Sequence, residues 1–168
     1  MSIEQDLTQL ALQEERLQFD HFDAVTAWEI GTRLKAAIEA RGARAGIDIQ
    51  LHGFPLFYYA MPGTTPDNGD WLRRKRNVVM RFHKSSYAYR LGLQKLGVTQ
   101  TERFGIATAD YAPNGGGFPI RVRGTGCVGS ICVSGLPQRD DHGVIVEVVA
   151  AFLGIPLEGL ALGPETTT

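Results

Sequence analysis

The sequence predicts an α/β fold of the α+β kind, in which helices cover an antiparallel β-sheet in the order α-β-β-α-β-β-(β)-α. Two observations predict it: apolar residues recur at helical spacing in several segments, and the strand-like segments come in pairs connected by short turns. Consecutive hairpins favour antiparallel pairing, and the chain lacks the strand–helix–strand alternation of a parallel sheet. From the length of 168 residues we expect one domain over residues 1–163, followed by a polar tail at 164–168.

The first half of the chain contains two predicted helices and a hairpin. A short helix is expected around residues 3–15, and Asp23 suits the N-cap of a second helix that ends at Gly42. Residues 47–51 then alternate apolar and polar side chains, and residues 56–61 form a second apolar segment after a turn. This pattern predicts a β-hairpin.

The second half begins with a predicted long basic helix. An apolar stripe extends over residues 71–89 of this helix, and a break is expected near Gly92 or Gly97. The last third is rich in Gly, but two strand-like segments flank a turn at residues 124–126. The segment at residues 134–154 is expected to end the fold as a helix.

Charge is balanced over the whole chain but concentrated in one segment. The chain has 17 Lys and Arg residues against 18 Asp and Glu residues, a balance that argues against a nucleic-acid partner. No apolar run approaches the roughly 20 residues of a membrane span, so we expect no membrane partner and a cytoplasmic location. The segment from Asp70 to Arg90, however, holds seven basic residues and one acid.

The end of this basic segment, RFHKSS, is the predicted ligand site. Arg81 and Lys84 supply positive charge, Ser85 and Ser86 supply neutral donors, and His83 adds a donor that becomes charged near neutral pH. This set suits a carboxylate or a phosphate better than a metal. On a continuous helix, Arg81 and Ser85 would form one contact with a ligand, and His83 and Ser86 a second.

The neighbouring basic residues, Arg73 to Arg76, have a simpler explanation. Consecutive helical residues point in different directions, so these four are expected to be solvated or paired with acids. No metal is predicted, because the four histidines are isolated and lack chelating spacing. Cys127 and Cys132 are interpreted as small buried residues, with a reactive thiol as the alternative.

A hydrolase is the weakest of the functional hypotheses. His83 could take the proton of Ser86, but no acid follows Asp70 in this segment to orient the histidine. The sequence also lacks the G-x-S-x-G pattern of a nucleophile elbow. Catalytic residues therefore stay unassigned.

Several motifs of the chain resemble the HbpS-like family of haem-binding or haem-degrading domains, also met as glycolate-operon accessory proteins. The resemblance covers roughly residues 24–155, and DNGDWLRRKRNVVMRFHKSSY is similar to an uncharacterised cytosolic branch found in bacteria and fungi. It implies a single HbpS-like domain with a profilin-like α/β layer fold, and assembly into homodimers or larger rings. The motifs that carry it are Gly116-Gly117-Phe118-Pro119-Ile120, the turn 121–126, the strand 128–135, and Asp140 with Asp141.

The resemblance also makes haem a candidate cofactor, with His83 as the candidate axial ligand. We therefore expect an oligomer that holds haem propionates, or a metabolite carboxylate or phosphate, between subunits near RFHKSS. The apolar segment Phe54–Tyr59 supports self-association, because one face of a half-buried strand cannot hide all its side chains. The alternative is an assembly factor whose basic helix, or acidic N-terminal helix, docks a protein partner.

Overall fold

The computed structural model describes residues 1–164, in which six helices and one four-stranded sheet are present. The sheet order is β2-β1-β4-β3, and every neighbouring pair is antiparallel. The predicted fold class is therefore confirmed. The elements are α1 (Ile3–Arg16), α2 (Ala24–Ala40), β1 (Gly46–Leu51), β2 (Phe54–Ala60), α3 (Pro66–Phe82), α4 (Ser86–Leu96), α5 (Gln100–Phe104), β3 (Gly117–Val122), β4 (Gly126–Ser134) and α6 (Gln138–Leu153).

The prediction of one long basic helix is wrong, because two helices, α3 and α4, occupy this part of the chain. α3 ends where His83 adopts the left-handed conformation, with φ of 52°. Ser85 then caps α4, since its side chain accepts a hydrogen bond from the backbone N–H of Ala88 at 3.2 Å. Of the two positions expected for a break, Gly97 is confirmed, because it ends α4 with φ of 65°, whereas Gly92 lies inside α4.

The two faces of the sheet differ in chemistry. Ile47 and Ile49 of β1 lie in the main apolar core, which α2 and α6 complete. Asp48 and Gln50, which alternate with them, are buried on the opposite face, where Arg76 of α3 pairs with Asp48. The polar face of the sheet thus lies against the basic helix.

The two outer edges of the sheet differ in their backbone pairing. The outer edge of β3 is covered, because Phe19 exchanges backbone hydrogen bonds with Arg121 and Arg123 at 2.8 and 2.9 Å. Within residues 1–164, no strand pairs with the outer edge of β2. Exposed apolar side chains lie on β2 and on the adjacent α2, and we call this set the β2 patch: Val25, Trp28, Phe54 and Tyr58, each more than half exposed.

No helix within residues 1–164 combines the length and the apolar character needed to cross a membrane. The polar tail predicted at residues 164–168 lies, except for Pro164, outside the described residues. The prediction of one domain over residues 1–163 stays a prediction.

Candidate functional site

The RFHKSS segment forms the junction between α3 and α4. Arg81, His83 and Lys84 are at least partly exposed there, whereas Ser85 and Ser86 are fully buried. The predicted convergence of side chains at helical spacing is wrong, since the helix ends before His83. The segment thus presents its cations to solvent and its serines to the protein interior.

Contacts within the protein occupy both serines. Ser86 Oγ donates to the backbone oxygen of Asn114 at 2.5 Å and accepts from the N–H of Gly117 at 2.9 Å. The N–H of Ser85 donates to Glu14 Oε1 at 2.7 Å, while its hydroxyl caps α4. Both hydroxyls therefore have structural roles. That of Ser85 caps α4, and that of Ser86 binds the backbone of the segment before β3.

The proposed nucleophile pair of a hydrolase is not supported. Ser86 gives its hydroxyl proton to a backbone oxygen, so this proton is not shared with a general base. Within the described chain, no hydrogen bond joins His83 to Ser86, and His83 lies on the solvent side of the junction.

A network from α1 and β3 fixes the conformation of the junction. Arg121 donates to the backbone oxygen of His83 and also lies 3.3 Å from Glu14 Oε2. Glu14 in turn accepts from the N–H of Ser85. The left-handed conformation of His83 is thus held in place by charged side chains from two other elements.

An aromatic cluster lies beside the junction, and the guanidinium groups of two arginines pack against aromatic rings there. Phe82 stacks on Tyr89 with ring centroids 4.4 Å apart, and Phe104 lies 4.9 Å from Phe82. The Arg81 guanidinium lies 5.5 Å from the ring centroid of Tyr111, and the Arg103 guanidinium lies 5.3 Å from that of Phe104. Burial raises the pKa of Tyr89 to about 12, although Arg81 and Arg103 act in the opposite direction.

A groove of about 180 Å³, which we call the junction groove, opens between α4 and α5. No carboxylate side chain of the described residues lines it. Lys84 and Arg103 are its charged residues, and the rest of its lining is mostly apolar: Ala88, Tyr89, Gly92, Leu93, Leu96 and Phe104. The groove therefore combines positive charge with an apolar floor.

The cations in and beside this groove have no acidic partner in the described part of the chain. Within residues 1–164, no ion pair joins Arg81, Lys84 or Arg103 to a carboxylate. Many other basic side chains of the chain do have such a partner, and three of the four consecutive basic residues are among them: Arg73 with Asp70 and Asp110, Lys75 with Asp141, and Arg76 with Asp48. The expectation of acid pairing is confirmed for these three, and the junction keeps a surplus of positive charge.

Sequence reasoning missed Arg103 and the short helix that carries it. α5 begins with a capping box, in which Glu102 accepts from the N–H of its N-cap Thr99 at 2.7 Å. The T-x-x-E pattern at residues 99–102 is a sequence signal for such a helix start. No pattern in the sequence, however, places Arg103 next to Lys84.

The reactive-thiol alternative has no support in the environment of either cysteine. Burial raises the pKa of Cys132 to about 12 and also raises the pKa of Cys127. Both thiols are free and stay protonated at neutral pH, which makes them poor nucleophiles.

Comparison with known proteins gives consistent matches. Residues 22–150 match the family described as "Haem degrading protein HbpS-like". A UPF0303 protein of Rhizobium leguminosarum bv. trifolii is 54% identical over 164 residues, which are 98% of this chain and 99% of that protein. The crystal structure of the Ybr137w protein has a TM-score of 0.81 and 30% identity, covering 88% of this chain and 87% of that one.

A more distant solved structure, that of a PduOC:heme complex, shares the fold. It has a TM-score of 0.61 and 14% identity, covering 74% of this chain and 90% of that one.

Proposed function

This chain belongs to the HbpS-like family, and from that premise we propose that it is a small-molecule-binding protein that holds an anionic ligand at the α3–α4 junction. One observation carries the proposal: Lys84 and Arg103 line an apolar groove, Arg81 lies at the same junction, and none of the three has a carboxylate partner in the described part of the chain. Unpaired cations beside an apolar surface favour a ligand that supplies the missing negative charge. His83, exposed at the same junction, adds a further donor.

The lining of the junction groove indicates the kind of anion. Exposed cations alone bind anions weakly at physiological salt, because water and dissolved ions screen their charge. The apolar floor, which includes Leu93, Leu96 and Phe104, adds affinity only for a ligand with an apolar body. We therefore propose a carboxylate or phosphate attached to an aliphatic or aromatic group.

Haem is such a molecule, and one solved relative of this fold is a complex with haem. The groove of a single subunit does not fit haem, because its volume of about 180 Å³ lies below the roughly 300–1,000 Å³ of ordinary ligand pockets. His83 is also exposed rather than enclosed by an apolar pocket, as an axial ligand would be. Haem propionates fit the site only where a second subunit covers the groove.

On haem titration we accordingly expect weak binding or none. The measurement is the Soret absorbance of the wild-type protein and of His83→Ala, with His21→Ala as the matched control. A strong Soret band that His83→Ala abolishes, and that His21→Ala leaves intact, would show that haem is bound through His83 and would contradict this expectation.

The proposal is tested with a matched pair of probes, octanoate and octanamide, which differ in charge and share an apolar chain. Calorimetric titration should show binding of octanoate and much weaker binding of octanamide. Arg103→Ala should weaken octanoate binding about tenfold, because a charge-assisted contact contributes about 1.5 kcal/mol. High salt should weaken binding as well.

Arg33→Ala is the control for this titration, since Arg33 is an arginine on α2 that pairs with Glu29 at the surface. It should leave octanoate binding unchanged. Equal affinity for octanoate and octanamide, or equal effects of Arg103→Ala and Arg33→Ala, would overturn the proposal.

A second candidate function, an assembly factor without a small-molecule ligand, is favoured by the β2 patch. Trp28 and Phe54 are 65% and 69% exposed, which is unusual for aromatic side chains of a protein that stays monomeric. The patch also borders the outer edge of β2, with which no strand pairs within residues 1–164. Self-association would bury it, as would a partner protein.

For the protein alone we expect a stable homodimer or a larger ring. Light scattering at micromolar concentration should report at least twice the monomer mass of 18.4 kDa. Trp28→Asp should shift the population towards monomer, because a charge replaces apolar surface at the interface. Ala11→Asp, which places a charge at an exposed position on α1, is the control. A monomer for the wild type would rule out self-association through the β2 patch.

A further inference from the structure

A second cleft, separate from the junction groove, lies at the opposite end of α3. It has a volume of about 290 Å³ and is open to solvent. Trp71 lines it, ten residues from Arg81 on the same helix, which corresponds to about 15 Å. We call it the α6 cleft, because the start of α6 forms one side; its lining is Asp67, Asn68, Trp71, Lys75, Asn114, Ser134, Gly135, Leu136, Gln138 and Asp141.

The α6 cleft has a buried ion pair at its base. Lys75 Nζ lies 2.9 Å from Asp141 Oδ2, and the two side chains are each only 3% exposed. Lys75 also donates to the backbone oxygen of Val133 at 2.9 Å. An ammonium group has three N–H donors, and the described residues supply acceptors for two of those of Lys75.

The walls of the cleft add further hydrogen-bonding groups that the fold does not use. Within the described residues, the indole N–H of Trp71 and the side-chain amide of Asn114 make no hydrogen bond, and neither does the amide nitrogen of Gln138. These groups supply several donors and one amide oxygen around a small volume. Such a set suits a molecule with many hydroxyl or carbonyl groups.

The charge of the cleft argues against an anion. Asp141 neutralises Lys75 directly, and Asp67 adds a further negative charge at the rim. The charged side chains of the lining therefore sum to a net negative charge, in contrast to the junction groove. An uncharged ligand avoids repulsion from Asp67 and still uses the unpaired donors.

We propose that the α6 cleft is a second binding site, which takes an uncharged, hydroxyl-rich molecule of the size of a monosaccharide or a cyclic polyol. Trp71 provides the apolar surface that such rings need on one face of its indole, because the Arg74 guanidinium covers the other face at 4.5 Å from the ring centroid. The amides of Asn114 and Gln138, together with Lys75, bind the hydroxyl groups.

The two tryptophans of the chain make the test site-specific. Trp71 lines the cleft, whereas Trp28 lies exposed on α2, in the β2 patch. In NMR spectra of protein with ¹⁵N-labelled indoles, titration with glucose or with myo-inositol should move the Trp71 signal in a saturable way and leave the Trp28 signal in place. Glucuronate, which keeps the glucose ring and carries a carboxylate, should bind several-fold more weakly.

Two variants define the outcome. Asn114→Ala removes a side chain with no hydrogen bond in the described fold, and should weaken binding about fivefold. Gln94→Ala, an amide on α4 away from the cleft, is the matched control and should have no effect. The proposal is overturned if neither glucose nor myo-inositol moves the Trp71 signal, if both tryptophans move together, if glucuronate binds as tightly as glucose, or if Asn114→Ala binds like the wild type.

This test is independent of the proposed anion site. Arg103→Ala should leave the titration of Trp71 unchanged, because Arg103 does not line the α6 cleft. Loss of octanoate binding with intact glucose binding, or the reverse, therefore shows which of the two sites fails.

Discussion

Replacing Asp141 with Ala is expected to lower the free energy of unfolding by about 3–5 kcal/mol. The variant would leave the ammonium of Lys75 buried without its counter-ion, since both side chains are only 3% exposed. Asp141 also accepts from the N–H of Leu136 at 2.9 Å, so its removal leaves a backbone donor unpaired. The measurement is urea unfolding at pH 7, followed by circular dichroism.

The control for this prediction is Glu29→Ala, which removes one partner of an exposed pair on α2. Glu29 lies 2.5 Å from Arg33, but both side chains are more than 40% exposed, so the expected loss is below about 1 kcal/mol. Similar losses of unfolding free energy in the two variants would contradict this prediction. They would mean that burial does not make the loss of Asp141 more costly than the loss of Glu29.

Acidification from pH 7 to pH 5 should destabilise the fold by about 2 kcal/mol through His142. His142 is fully buried, and its Nε2 lies 2.8 Å from Gln13 Oε1, whose amide nitrogen donates to Leu160. Burial, and to a lesser extent Arg139, lowers the pKa of His142 from 6.5 to about 3. Because the folded pKa is lowered, the contribution of His142 to stability is present above pH 6.5 and is lost as the pH falls towards 3.

Unfolding free energies of the wild type and of His142→Gln, measured between pH 7 and pH 5, test this prediction. Glutamine has no titratable proton in this range and can still donate to Gln13, so the variant should show a flatter pH dependence. His21→Ala, which changes a histidine on the surface, should keep the wild-type slope. Equal slopes for wild type and His142→Gln would mean that other groups cause the acid sensitivity.

The hairpins and the amphipathic helices could be predicted because their signals are local. The alternation over residues 47–51 and the end of α2 before Gly42 both agree with the structure. The break at His83 could not be predicted, because a left-handed histidine has no sequence signature and the apolar stripe continues across it. Ser85 is a common N-cap type, but it also fits the interior of a helix when the surrounding pattern is helical.

The glycine-rich segment before β3 shows the same limit. Its composition predicts a tight turn, but the close packing of neighbouring elements also leaves no room for a side chain at these positions. A Cβ on Gly115 would lie 2.2 Å from the backbone oxygen of Gln138, and one on Gly116 would lie 2.7 Å from Lys75 Nζ. The glycines allow the chain to pass between α3 and α6, which brings Asn114 to the α6 cleft.

At the candidate site, the sequence identified the cations but not their environment. Arg81 and Lys84 stand out by composition, whereas Arg103 joins Lys84 only because α5 contributes to the lining of the same groove as α4. The Ser86 hydroxyl and the backbone N–H of Ser85 have partners about 30 to 70 residues away, Gly117 and Glu14. Contacts over such separations leave no periodic signal in a single sequence.

The most direct test of the anion site is a crystal structure of the full chain with octanoate bound. We predict that the carboxylate lies within hydrogen-bond distance of at least two of Arg81, His83, Lys84 and Arg103, and that the alkyl chain contacts Leu93 or Phe104. Octanoate bound elsewhere, with these side chains in solvent, would contradict the assignment of an anion site to the α3–α4 junction.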